Sequence, residues 1–203
     1  MVEILKYEDK TKEEALKKCL AHVGLTIDDI FFKEREIEGK LFKSKKVEIT
    51  AIKKEEVMKY IKEYINKLST LVNIDIKSEV KEKEEIINIT LVTSNNAIII
   101  GKDGRTLNAL QMMIRQSIKI NTDFNIKINL DVSNYKNKKI KNIEYEIRKI
   151  ADEVLASKIE VKLDSMNSYE RRLVHTIISE YKDLSTESEG EAPNRYVIIR
   201  YNK

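Results

Sequence analysis

The chain has 203 residues, enough for one ordinary domain or two to three small ones. Its 41% hydrophobic content with only 6% aromatic residues suits small cores of Ile, Leu and Val, and its net charge of +4 is the difference between 38 basic and 34 acidic side chains. That balance permits a nucleic-acid partner without demanding one, because clustering matters more than the sum, and the single cysteine, Cys19, excludes an internal disulfide framework.

The first ten residues carry acids where a secretory signal would be basic and then apolar. No run approaches the roughly eighteen apolar residues of a membrane span, so a soluble, cytoplasmic protein without membrane insertion is expected. Val2–Tyr7 reads as a short strand. Thr11 followed by Glu14 is a capping-box pattern that opens a helix, with Ala15, Leu16, Cys19, Leu20 and Val23 on its apolar face and Gly24 as its C-cap. A turn around Thr26–Asp29 leads to a strand over Ile30–Ile37, then Gly39, then an alternating strand over Lys46–Ile52. Cys19 and His22 have Cys-x-x-His spacing, but the one other histidine is His175. A structural zinc site wants four ligands, so no metal and no cofactor is expected.

A helix over Glu55–Leu68 carries Val57, Tyr60, Ile61, Tyr64, Ile65 and Leu68 on one side, the stripe of a core-facing helix. Strand-like stretches follow at Val72–Ser78 and Glu85–Thr93, with Lys81–Glu84 as the hairpin tip. The most informative stretch is next, Ala-Ile-Ile-Ile-Gly-Lys-Asp-Gly-Arg-Thr-Leu-Asn-Ala-Leu from Ala97 to Leu110. A short apolar helix enters the loop Gly101-Lys102-Asp103-Gly104. A second helix, Arg105–Lys119, leaves it with Leu107, Leu110, Ile114 and Ile118 inward. Glycines without a Cβ let the backbone press against phosphates, and the positive end of the next helix faces the anion. Lys102 and Arg105 add charge, while Asp103 opposes it. A bare helix end and turn would explain the same four letters, but the chain holds only five glycines and two fall here. Helix, strand, strand, short helix, Gly-x-x-Gly, helix and strand (Phe124–Asp131) resembles the prokaryotic type of KH domain, whose loop clamps about four nucleotides.

Beyond Asp131–Asn134 a long helix is expected over Tyr135–Ile159, with Ile140, Ile143, Ile147, Ile150, Val154 and Leu155 inward. Its early lysines, Lys136, Lys138, Lys139 and Lys141, are the better phosphate candidates of its basic face. Asn167 or Ser168 then caps another helix, with Glu170 completing a capping box. On it Arg171 and His175 stand one turn apart, a guanidinium and an imidazole able to hold neighbouring phosphates. An equally open reading pairs Arg171 with an acid and His175 with a carbonyl. Leu184–Arg195 is read as a polar loop holding Gly190 and the only proline, Pro193, before a final strand over Tyr196–Tyr201. Arg195 and Arg200 extend the basic surface in this reading, with Glu187, Glu189 and Glu191 against it. Arg-x-x-x-His, then an acidic Ser/Glu/Gly loop, then Pro and Arg-x-x-x-x-Arg resembles the R-three-H domain.

A small strand–helix–strand–strand unit, a KH domain and an R-three-H domain in series resemble the bacterial Jag family, the SpoIIIJ-associated RNA-binding proteins. Gly-Lys-Asp-Gly-Arg-Thr-Leu-Asn-Ala-Leu-Gln (101–111), Tyr-Glu-Arg-Arg-Leu-Val-His (169–175) and Ser-Glu-Gly-Glu-Ala-Pro (188–193) carry the resemblance specifically; Thr11-x-Glu-Glu-Ala carries it weakly. The chain departs from the family at residues 38–46, which keep one glycine, and at Ser168, where proline is common. The resemblance implies an α+β fold of three small consecutive domains: a βαββ unit (1–52), a type II KH domain (53–131) and an R-three-H domain (132–203). It implies a non-enzymatic, post-transcriptional regulator that binds single-stranded RNA, linked to envelope and cell-division control or sporulation. Single-stranded DNA stays open as a partner, as do a small single-KH-domain protein and a second copy of the chain. The nucleic-acid-binding residues expected on this basis are Gly101, Lys102, Asp103, Gly104 and Arg105 in the clamp and Arg171, Arg172, His175 and Arg195 in the last module. The alternative is a protein-interaction adaptor that keeps the KH fold for dimerisation or docking.

Overall fold

A computed structural model describes residues 2–38 and 45–202; the single glycine of the 38–46 stretch, Gly39, lies outside them. The described chain is a mixed α/β fold with three separate three-stranded sheets and two compact units, one ending at Ser133 and the next starting at Asn134.

In the first unit, β1 (Leu5–Asp9) and β2 (Ile30–Ile37) flank β3 (Lys46–Lys53), all antiparallel, and α1 (Lys12–Val23) covers one face. Thr11 accepts from the Glu14 amide at the start of α1, and Ala15 and Cys19 meet Leu5, Ile30, Ile49 and Ala51 in a small core. The other face of this sheet is buried as well, since Thr50 and Ile52 are both inaccessible. Beneath it Lys33, opposite Thr50, pairs with Asp123 and stands 5.3 Å over the Phe124 ring.

β3 runs without a linker into α2 (Lys54–Val72). Then come the hairpin β4 (Ile76–Lys83) and β5 (Ile86–Thr93), α3 (Asn96–Ile100), α4 (Arg105–Thr122) and β6 (Lys127–Val132). β5 is central, antiparallel to β4 and parallel to β6. Alternation along β5 sends Ile87, Ile89 and Leu91 toward the helices, where Ile61, Ile65, Leu107, Ile114 and Ile118 close the core. Glu84 and Glu85 make the hairpin tip at φ 53° and 61°. α2 is longer than its sequence pattern predicts, and β4 starts later. Asn73 stops the helix in the left-handed region, and the Ser69 hydroxyl donates to the Ile74 carbonyl while accepting the Ile76 amide. Thr70-Leu71-Val72, strand-like in composition, therefore finishes a helix.

The second unit packs α5 (Tyr135–Ser157) and α6 (Ser168–Ile178) on a sheet of β7 (Val161–Lys162), β9 (Tyr196–Tyr201) and β8 (Leu184–Glu189), with β9 central. Ile147, Ala151 and Val154 of α5, Val174, Ile177 and Ile178 of α6, and Val197 and Ile199 of β9 form its core. Two corrections to the sequence reading fall here. The stretch expected to be a polar loop begins with a strand, because every residue from Leu184 to Glu189 pairs with β9, and only residues 190–195 turn. Lys139 is not spare for phosphate: it sits 2.6 Å from Glu170, a buried carboxylate that needs a counter-charge.

Candidate nucleic-acid interface

The loop between α3 and α4 is built from unusual backbone. Gly101 has φ 70° and ψ 179°, a region that is essentially restricted to glycine. Any Cβ there would stand 2.1 Å from the Thr106 hydroxyl oxygen. Gly104 follows at φ 80°, ψ 15°, and Asp103 at φ 56°, ψ 20°, both left-handed. Asp is among the few L-residues that tolerate that region, so backbone geometry accounts for the acid inside the loop. α4 begins with no side-chain cap and no acid in its first turn, whereas α1 and α6 are each capped by a side chain with acids behind it. The positive end of an 18-residue helix thus lies at the loop beside Arg105, with the Gly104 amide donating to the Gly101 carbonyl and the Arg105 amide to the Lys102 carbonyl. Among the described residues neither Lys102 nor Arg105, both exposed, has an ion-pair partner. Ile98 of α3, 54% exposed, is the apolar neighbour of this cationic loop.

In the second unit a capping box fixes the start of α6: Asn167 accepts from the Tyr169 and Glu170 amides, and Glu170 accepts from the Asn167 amide. Arg171 lies half-buried with one guanidinium nitrogen, Nη1, donating to the Met166 carbonyl at 2.9 Å. The Met166 amide in turn donates to the Arg195 carbonyl at 3.0 Å. One backbone position thereby brings Arg171 and Arg195 together, although they lie far apart in sequence. His175 is bonded through both ring nitrogens, Nδ1 to the Thr186 hydroxyl at 2.6 Å and Nε2 to the Ser188 hydroxyl at 2.9 Å. Burial first, and the nearby Arg171 charge second, hold its pKa below the 6.5 of a free imidazole. Arg172 is exposed on the same helix.

Two of the three acids expected to oppose this surface, Glu187 and Glu189, are directed away from it. In β8, Thr186 and Ser188 lie opposite Ile199 and Val197, on the helix-covered face, while Glu187 and Glu189 alternate onto the other. There Arg200 is clasped by Glu160 at 2.8 Å, by Glu187 and by Glu189 at 3.0 Å, and its pKa is raised by those three bonds. Arg200 therefore does not extend the basic surface. The sequence reading missed Thr106, which fills the space over Gly101, and the pair Thr186 and Ser188. Their signal was present as a period-two alternation of hydroxyls and carboxylates, hidden by a composition that reads as loop.

The nine residues expected from sequence thus fall into two groups in different units, Gly101 to Arg105 in one and Arg171, Arg172, His175 and Arg195 in the other. Among the described residues there is no cluster of three or more His, Cys, Asp or Glu arranged to hold a metal. The model of the KhpA/KhpB KH domain matches residues 43–134, and that of the R-three-H domain matches residues 141–201. RNA-binding protein KhpB of Clostridium symbiosum is 33% identical over 195 residues, covering 94% of this chain and 88% of that protein. The chain belongs to the KhpB (Jag) family. The KhpB of Bacillus subtilis (strain 168) is 26% identical over 197 residues, 94% of this chain and 95% of that protein. Within KhpB architecture, the Gly101–Gly104 loop lies inside the KH match, and α6 with β8 and β9 lies inside the R-three-H match.

Proposed function

We propose that this chain is a non-enzymatic, cytoplasmic regulator that binds single-stranded RNA at two places, acting after transcription. Three modules divide the work: 1–52 as a docked support, 53–131 as the clamp and 132–203 as a second grip. The α4 start under a glycine-only backbone carries this reading, because it sets a helix end with no side-chain cap and no acid in its first turn beside the exposed Lys102 and Arg105. The names of the KhpB relatives support RNA as the ligand. Lys102 and Arg105 meet the strand at the loop that Gly101 and Gly104 shape, Ile98 meets a base, and Arg171, Arg172 and Arg195 hold phosphates further along. His175 serves from behind through its two hydroxyl partners. No helix among the described residues is long and apolar enough to cross a membrane.

The adaptor reading has its own observation. Met112, Met113 and Ile120 of α4 are 70%, 52% and 74% exposed, an apolar stripe on the helix that leaves the clamp. This face is where a small single-KH-domain protein or a second copy of the chain would pair. Crosslinking to RNA in cells separates the two readings. Lys102→Ala/Arg105→Ala, at exposed positions that leave the glycine backbone intact, and Arg171→Ala/His175→Ala are each expected to lose RNA while folded and while still recovering a protein partner. Unchanged crosslinking of both variants would leave the adaptor reading in its place.

A further inference from the structure

We infer that Thr186 and Ser188 are phosphate-binding residues of the second module, with His175 acting behind them as a positioning residue; this rests on the reading of Arg171 as an RNA contact. Among the described residues, His175 is the side-chain partner of both hydroxyls. All three groups are half-buried at the free edge of the sheet, since β8 pairs only with β9 among the described strands. A neutral imidazole donates through one nitrogen and accepts through the other. One hydroxyl therefore accepts the ring N–H and keeps its own O–H to turn outward, while the other spends its O–H on the ring. Protonation makes both nitrogens donors and turns both O–H groups outward, adding a positive charge behind them. That pair would form a two-donor seat beside the Arg171 guanidinium, on the face that Glu187 and Glu189 do not share.

The charges that bear on His175 support an anionic occupant. Arg171, one turn back on α6, pushes the ring toward neutrality, and the nearest carboxylates of β8 are committed to Arg200 on the opposite face. A phosphate set against both hydroxyls and Arg171 offsets that repulsion and favours the imidazolium. RNA binding is thereby coupled to proton uptake at His175.

The test is equilibrium binding of the full chain to a single-stranded oligouridine across salt and pH, with melting curves for every variant. Ser188→Ala and Thr186→Val are each expected to weaken binding about three- to tenfold with the salt slope unchanged, because neither removes a charge. Arg171→Ala is expected to lower the slope by about 0.7. Thr186→Ser keeps the hydroxyl and is expected to retain affinity. Where an alanine variant melts early, Ser188→Cys keeps the volume, lacks a strong donor and carries the same expectation. Wild-type affinity is expected to rise as pH falls toward the His175 pKa, which burial and then Arg171 hold below that of a free imidazole, and His175→Gln removes that rise. Wild-type affinity in the folded hydroxyl variants, with binding lost in Arg171→Ala, would overturn the inference and leave the wider reading standing. Wild-type affinity in Arg171→Ala as well would remove the second RNA site itself.

Discussion

At Gly101 the backbone and its neighbour act together. The φ and ψ values suit only glycine, and the Thr106 hydroxyl occupies the place of a Cβ. Gly101→Ala is expected to destabilise the first unit by about 2 kcal/mol or more, seen as a lowered denaturant midpoint. Asp103 separates geometry from charge, since Asn also tolerates the left-handed region. Asp103→Asn is expected to leave stability unchanged and tighten RNA binding about two- to fivefold; weaker binding would mean that the carboxylate itself serves the clamp. His175 gives a pH signature in the free protein. Its folded pKa lies below 6.5, so the unfolded chain binds the proton more readily. Stability of the second unit is then fully present above about 6.5 and falls as pH drops through the lower, folded value. His175→Gln is expected to flatten that slope in melts followed against pH.

Among the elements, those with strong periodicity were legible. The bounds of β2 and β9, the Thr11 cap of α1 and the capping box of α6 all follow from local chemistry. β8 was not legible, because Leu-Ser-Thr-Glu-Ser-Glu has loop composition and becomes a strand only by pairing with β9. The proposed Thr186 and Ser188 seat was hidden with it. The Gly-x-x-Gly loop announced itself in the sequence, whereas the Arg171–Met166–Arg195 link rests on backbone bonds that no side-chain spacing encodes. The join between α5 and α6 makes a further prediction. Lys139→Ala takes the counter-charge from the buried Glu170 carboxylate, which keeps the Asn167 amide, and is expected to cost about 1–2 kcal/mol, less than a fully buried pair would lose because Lys139 keeps 25% of its side chain in water. Lys138→Ala, on an exposed neighbour, is expected to be neutral in the same denaturation assay.

On the scale of the whole chain, the two proposed grips, joined covalently, would raise each other's effective concentration. The α4 helix, about 27 Å long at 1.5 Å per residue, keeps the clamp at the end away from the Lys33–Asp123 contact, so the docked β1–β3 sheet leaves the loop open. The KH match contains Lys102 and Arg105, and the R-three-H match contains Arg171, Arg172 and Arg195. The most direct measurement is the salt dependence of single-stranded RNA affinity for the wild type, Lys102→Ala/Arg105→Ala and Arg171→Ala/Arg195→Ala. Each folded double variant is expected to lose affinity and to lower the log–log slope by about 0.7 for every phosphate contact removed. A wild-type affinity that does not change with salt, or slopes unaltered in both variants, would contradict two-site phosphate recognition.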